Sequence, residues 1–86
     1  MALRTIGIEA DPAKRIRKRQ GKTITDFRKM RDLSVDELAA LVGVTPGAIR
    51  HWEGGRYSPR QHHQVKLAKA LNTTWGSLFA LDGEAA

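Results

Sequence analysis

Six cations crowd into nine positions. In "KRIRKRQGK", residues 14–22, Lys14, Arg15, Arg17, Lys18, Arg19 and Lys22 occur with no acid among them. Guanidinium and ammonium groups at that density suit phosphate, because each offers charge-assisted N–H donors to anionic oxygens. Of the 15 basic residues, the other nine are offset by nine acids, so this stretch alone supplies the net charge of +6. The balance implies a polyanionic partner.

A second candidate group lies in "TPGAIRHWEGGRYSP", residues 45–59. Arg50 and His51 are hydrogen-bonding side chains on a short run whose only large apolar residues are Ile49 and Trp52. Other chemistries find little support. There is no cysteine, and the neighbours His62 and His63 cannot comfortably converge on one ion, so no metal and no cofactor is expected. Serine, histidine and aspartate occur without a nucleophile elbow or a supporting glycine loop, which argues against an enzyme. Gly54-Gly55 follows a helical pattern and precedes no Lys-Ser/Thr pair, so it reads as a stop and turn. Trp52 and Trp75 are assigned to the core. The longest apolar run, residues 38–44, is far below the roughly 20 residues of a membrane span. The first ten residues lack an apolar core of signal-peptide length, so a cytoplasmic, nucleoid-associated protein is expected, with no membrane and no small-molecule substrate.

The elements that must position these residues follow from caps and periodicity. Residues 1–22 read as an extension: Leu3, Ile6 and Ile8 are apolar-spaced, Asp11-Pro12 is a helix start, and Gly21 is a stop. Only Ala13 and Ile16 are apolar between them, so a solvated arm and a packed extra helix both remain open. From Thr23, Ile24, Phe27 and Met30 predict a helix ending near Asp32. "SVDE" is a capping box, with Ser34 at N-cap and Glu37 at N3. Leu38, Ala39, Leu41 and Val42 follow as an apolar face, and Gly43 ends it. Thr45 caps a third helix with Pro46 at N1, where the missing N–H costs nothing. Gly47 at N2 weakens that helix and leaves a bare backbone. Ser58-Pro59 opens a fourth helix to Leu71, with Val65, Ala68 and Leu71 inward and Asn72 as its stop. Thr74 caps a last short helix, "WGSLFAL", containing Trp75, Leu78 and Phe79. The expected class is all-α, with five short helices.

Leu38, Ala39, Val42, Gly43, Val44, Ile49 and Trp52, flanked by "LS…ELA", "WEGGRYSP" and "KLAKAL", resemble the phage-repressor-like helix-turn-helix family. This is the Cro and lambda-repressor type, also called XRE. The resemblance covers residues 23–81. It implies a compact five-helix, helix-turn-helix DNA-binding domain at 23–81; outside that span the residues themselves read as a basic N-terminal arm at 1–22 and a frayed end at 82–86. Helix 45–53 then corresponds to the recognition helix, which lies in the major groove. Arg50 becomes the first candidate base reader, because arginine can pair bidentately with guanine; His51, Pro46 and Gly47 share that face. Phosphate contacts are expected from Thr45, Ser34, Arg56 and Tyr57, together with Lys14, Arg15, Arg17, Lys18, Arg19 and Lys22.

Three features depart from the family pattern. Pro46 and Gly47 stand where many relatives carry polar base readers, Val35 where many carry glutamine, and Gln61 and Gln64 where many carry leucine. The expected function is a sequence-specific double-stranded DNA-binding regulator, a phage or prokaryotic repressor or Cro-like protein. The alternative is an antitoxin-type protein-interaction module on the same fold. No dimerisation domain is expected after Leu81, so the chain is expected either to form a homodimer through its last helix or to bind as a monomer leaning on its arm.

Overall fold

The computed structural model describes residues 11–80, so Leu3, Ile6, Ile8 and the 82–86 end lie outside the described residues. Five helices follow in order: α1 (Pro12–Met30), α2 (Val35–Val42), α3 (Pro46–Glu53), α4 (Gln61–Ala70) and α5 (Trp75–Phe79). No strand occurs among the described residues.

The first helix departs from the reading of Gly21 as a stop. Asp11 caps α1 through its carboxylate, which accepts from Lys14 N at 3.3 Å, and Pro12 takes the first turn. The helix then runs straight through Gly21 to Met30, so the expected boundary between residues 22 and 23 falls inside it. A terminal glycine works by adopting positive φ, and Gly21 is not among the positive-φ residues. It is buried instead, at a close helix crossing described below. The chain leaves α1 through Asp32 at φ 56°, with Leu33 N donating back to Arg28 O at 3.1 Å.

The next two helices follow their local signals. Ser34 Oγ accepts from Glu37 N at 3.0 Å while Glu37 Oε1 accepts from Ser34 N at 2.8 Å, closing the capping box. Gly43 ends α2 at φ 85°, a left-handed conformation that costs glycine nothing. Two residues later Thr45 Oγ1 accepts from Ala48 N at 3.2 Å and starts α3. The tight turn between two short helices is thereby fixed by a left-handed glycine at the end of α2 and a side-chain cap at the start of α3.

The core joins Ile24 of α1, Leu38, Ala39 and Val42 of α2, and Ile49 and Trp52 of α3. Leu67, Ala68 and Leu71 close it from the α4 side, and Leu78 and Phe79 from α5. Four expected inward residues turn outward. Met30 is i+6 from Ile24, about 240° around the helix, and is exposed. Val65 is exposed because α4 buries the phase of Leu67, Ala68 and Leu71. Leu41 lines a shallow groove with Ala40, Lys66 and Lys69. Trp75 is 46% exposed, its indole Nε1 donating to Gln64 Oε1 at 2.8 Å.

α4 itself begins at Gln61 rather than at Ser58-Pro59. Its N-cap, Arg60, makes no side-chain cap, and Ser58 Oγ reaches Gln20 Oε1 at 3.5 Å instead. Asn72 does stop α4, at φ 55°. Arg31, the C-cap residue of α1, completes that end, donating from Nε to Leu71 O at 2.8 Å and from Nη2 to Asn72 O at 3.0 Å. Carbonyls left over at a helix C-terminus need such donors.

Candidate nucleic-acid interface

α3 divides cleanly between core and solvent. Ile49 is fully buried and Trp52 is 7% exposed, while Arg50 and His51 between them are exposed. Among the described residues, no hydrogen bond or ion pair engages the Arg50 side chain. The acid of the same helix that could have held it, Glu53, is gripped from another direction. Arg28 Nε donates to Glu53 Oε2 at 2.7 Å and Nη2 donates to Oε1 at 3.2 Å. Arg28 Nη1 also donates to Leu33 O at 2.9 Å. The hydrogen bonding to Glu53, helped by its charge, raises the Arg28 pKa above its ordinary value, outweighing the opposing effect of burial.

The start of α3 is bare. A Cβ built on Gly47 would have Thr45 Oγ1, at 3.8 Å, as its nearest neighbour, which is ordinary contact. No neighbouring element therefore requires a glycine there. Pro46 and Gly47 are half-buried, and α3 has no acid in its first turn to oppose an anion at the positive end of its dipole. His51 is drawn towards the following loop, its ring edge-on to Tyr57 with centroids 5.3 Å apart.

The expected phosphate-binding residues are spread over three places. Ser34 and Thr45 sit at the starts of α2 and α3, where each side-chain oxygen caps its helix and each hydroxyl keeps its own proton to donate. Arg56 and Tyr57 are exposed in the loop after α3. The basic stretch is helical and only partly available. Lys14, Arg15, Lys18 and Arg19 are exposed, and Lys22 is exposed but paired with Asp26 at 3.2 Å. Arg17 is half-buried, and its Nε donates to Gly55 O at 3.0 Å.

The departures from the family pattern have structural readings. Val35 packs against the core from the start of α2. Gln64 replaces leucine packing with hydrogen bonds, donating from Nε2 to Pro59 O at 3.0 Å and accepting from Trp75. Gln61 is exposed. His63 lies against Trp52 with centroids 5.3 Å apart, and His62 against His63 at 4.0 Å. Partial burial lowers the His63 pKa, and the nearby His62, Lys66 and Arg60 lower it further. Among the described residues no group of three metal-ligating side chains forms, and no helix is long and apolar enough to cross a membrane.

Reading charge alone missed three structural side chains: Arg28, Arg31 and Glu53. A signal for Arg28 and Arg17 was present, since residues 17, 21, 24 and 28 recur at steps of four, three and four, the spacing of one helix face.

Comparison with known proteins agrees with this geometry. Residues 24–78 match a helix-turn-helix family. An uncharacterized HTH-type transcriptional regulator from Archaeoglobus fulgidus is 34% identical over 61 residues, covering 71% of this chain and 87% of that protein. The crystal structure of the clp gene regulator ClgR from C. glutamicum superposes with a TM-score of 0.70 at 25% identity, over 83% of this chain and 94% of that one. An HTH_3 family transcriptional regulator from Vibrio cholerae gives a TM-score of 0.74 at 27% identity, over 85% of this chain but 41% of its own.

Proposed function

The chain belongs to the helix-turn-helix family of DNA-binding transcriptional regulators, of the XRE type, rather than to an enzyme family, and we propose that it reads double-stranded DNA with α3 in the major groove. Arg50 is the principal base reader in this reading, with His51, Pro46 and Gly47 at the same surface. Ser34, Thr45, Arg56 and Tyr57 hold phosphates on either side, and the cations of α1 add charge beside them. The mode of action is repression, as in a small Cro-like protein.

One observation carries the reading. Glu53 is held by Arg28, which leaves Arg50 exposed and without an ionic partner on a helix whose Ile49 and Trp52 are committed to the core. An arginine left exposed and unpaired is ready to pair with guanine O6 and N7, a contact worth about 1–3 kcal/mol in discrimination. The bare helix start at Gly47 supports close approach to the duplex edge.

The test is selection of bound sequences from a random duplex pool. A recurring motif containing guanine at a fixed place is the expected result. A palindrome would assign binding to a homodimer, and an asymmetric motif to a monomer. Recovery of no motif, with equal affinity for every duplex, would refute sequence-specific reading.

A further inference from the structure

The family match begins at residue 24, yet α1 begins at Pro12, and the part preceding the match is packed against the C-terminal end of α3. Two glycines make the contact. A Cβ on Gly21 would collide with the carbonyl oxygens of Trp52 and Glu53. A Cβ on Gly55, at φ 77°, would come within 2.8 Å of Lys18 Cα and 2.7 Å of its Cγ. Backbone therefore meets backbone at this crossing, and only glycine permits it. Arg17 closes the contact by donating to Gly55 O at 3.0 Å. One helical face thus presents Arg17, Gly21, Ile24 and Arg28 to α3, with a guanidinium at each end of the row. The Arg17 guanidinium lies at the negative end of the α3 dipole, and Arg28 holds the side chain of Glu53, the last residue of α3.

We infer that Arg17 and Gly21 are positioning residues for DNA reading: the stretch of α1 ahead of the family domain is a clamp that fixes how α3 sits. The inference rests on α3 being the reading helix. A helix of two turns has little stability of its own, and its pose depends on what holds its ends. Its start is held by the turn from α2, and its end by Gly21, Arg17 and Arg28. Loosening the second end lets Arg50 wander relative to the bases while phosphate attraction persists. Specific affinity should then fall more than unspecific affinity.

The experiment uses the full chain and two duplexes of equal length, one selected and one unrelated, at a single salt concentration. Arg17→Ala and Arg15→Ala remove the same charge from opposite faces of α1. Arg17→Gln also removes the charge, but places an amide N–H at the same number of bonds from the backbone as arginine Nε. Clamping predicts that Arg17→Ala lowers the ratio of specific to unspecific affinity by up to about tenfold, the worth of one hydrogen bond. Arg15→Ala and Arg17→Gln should weaken both affinities and keep the ratio. Gly21→Ala should lower the ratio at least as far, if that variant folds; if it does not, the arginine series still decides. Equal ratios for Arg17→Ala and Arg15→Ala would overturn the inference.

A second readout needs no DNA. The amides of Gly54, Gly55 and Arg56 donate to Arg50, Trp52 and His51 carbonyls, and their hydrogen exchange reports the end of α3. Exchange should quicken in Arg17→Ala and not in Arg15→Ala. A chain that selects no DNA sequence would refute the reading of α3, while this difference in exchange would still uphold or refute the clamp.

Discussion

Arg28 and Glu53 form a two-pronged ion pair across the contact between α1 and α3, with side chains only 13% and 12% exposed. The planar guanidinium matches both carboxylate oxygens and has a third bond to Leu33 O, so removing it strands three acceptor oxygens. Arg28→Ala should destabilise the fold by about 2–4 kcal/mol, because the carboxylate left behind is largely shielded from water. Arg28→Lys should recover only part, since a single ammonium cannot fork. Urea unfolding curves of the two variants check this, and equal stability of lysine and arginine chains would refute the bidentate role.

Arg50→Ala addresses the opposite side of α3. The side chain has no partner to lose among the described residues, so thermal stability should change by less than about 0.5 kcal/mol. Affinity for the selected duplex should drop by about 1–3 kcal/mol, with preference relaxed at one base pair. Titrations against single-base variants of that duplex measure it. An equal drop on every duplex would make Arg50 a phosphate contact.

The turn and α3 were legible because their signals are local. Ser34 with Glu37, Gly43 and Thr45-Pro46 each act within one helical turn, and each is found as read. Gly21 was misread because a glycine inside a helix and a glycine ending one look alike locally. What distinguishes them is a partner more than thirty residues away, the Trp52 and Glu53 carbonyls. The basic stretch was left open between a solvated arm and a packed helix for a related reason. Counting charge and apolar residues gives Ala13 and Ile16 little grip, yet α1 docks through backbone contact and the Arg17 hydrogen bond, neither of which is hydrophobic. Arg50 was a candidate from its type, but its freedom from Glu53 depended on Arg28 and was visible only in three dimensions.

Gly47 offers a test in which stability and binding part company. A Cβ there meets only ordinary van der Waals contact, and leucine favours a helix more than glycine does by several tenths of a kcal/mol. Gly47→Ala and Gly47→Leu should therefore melt no lower than the parent. If the bare backbone exists for approach to the duplex, affinity should fall from glycine to alanine to leucine. Melting curves and DNA titrations on the same samples check both halves. Unchanged affinity in the leucine variant would place the duplex away from the start of α3.

His63 should make stability depend on pH. Its pKa is lowered in the folded chain from an ordinary value of about 6.5, chiefly by burial against Trp52, so the unfolded chain binds more protons between those two values. Excess protons on the unfolded state mean that stability rises with pH across that window and is lost as pH falls through it. Relative to His63→Gln, the parent should lose stability on acidification from pH 7 to pH 5. Parallel stability curves for the two proteins would show that His63 contributes nothing.

The cations of α1 should appear in the salt dependence of DNA binding rather than in its sequence preference. Each phosphate neutralised contributes about 0.9 to the slope of log affinity against log salt. Lys14, Arg15 and Lys18 are exposed, so changing all three to glutamine removes charge without touching the Arg17 and Gly21 contacts. Glutamine is also a good helix former and keeps the Lys18 methylene that lies over Gly55. If all three engage phosphate, the slope should flatten by about 2.7 while the preferred motif stays the same. Deleting residues 1–22 is a different experiment, because it also removes Gly21 and the Arg17 bond, and it should lower the melting temperature as well as the affinity. A glutamine triple variant that melts normally and keeps the full salt slope would leave these three side chains off the DNA, and the helix that bears them would act through α3 alone.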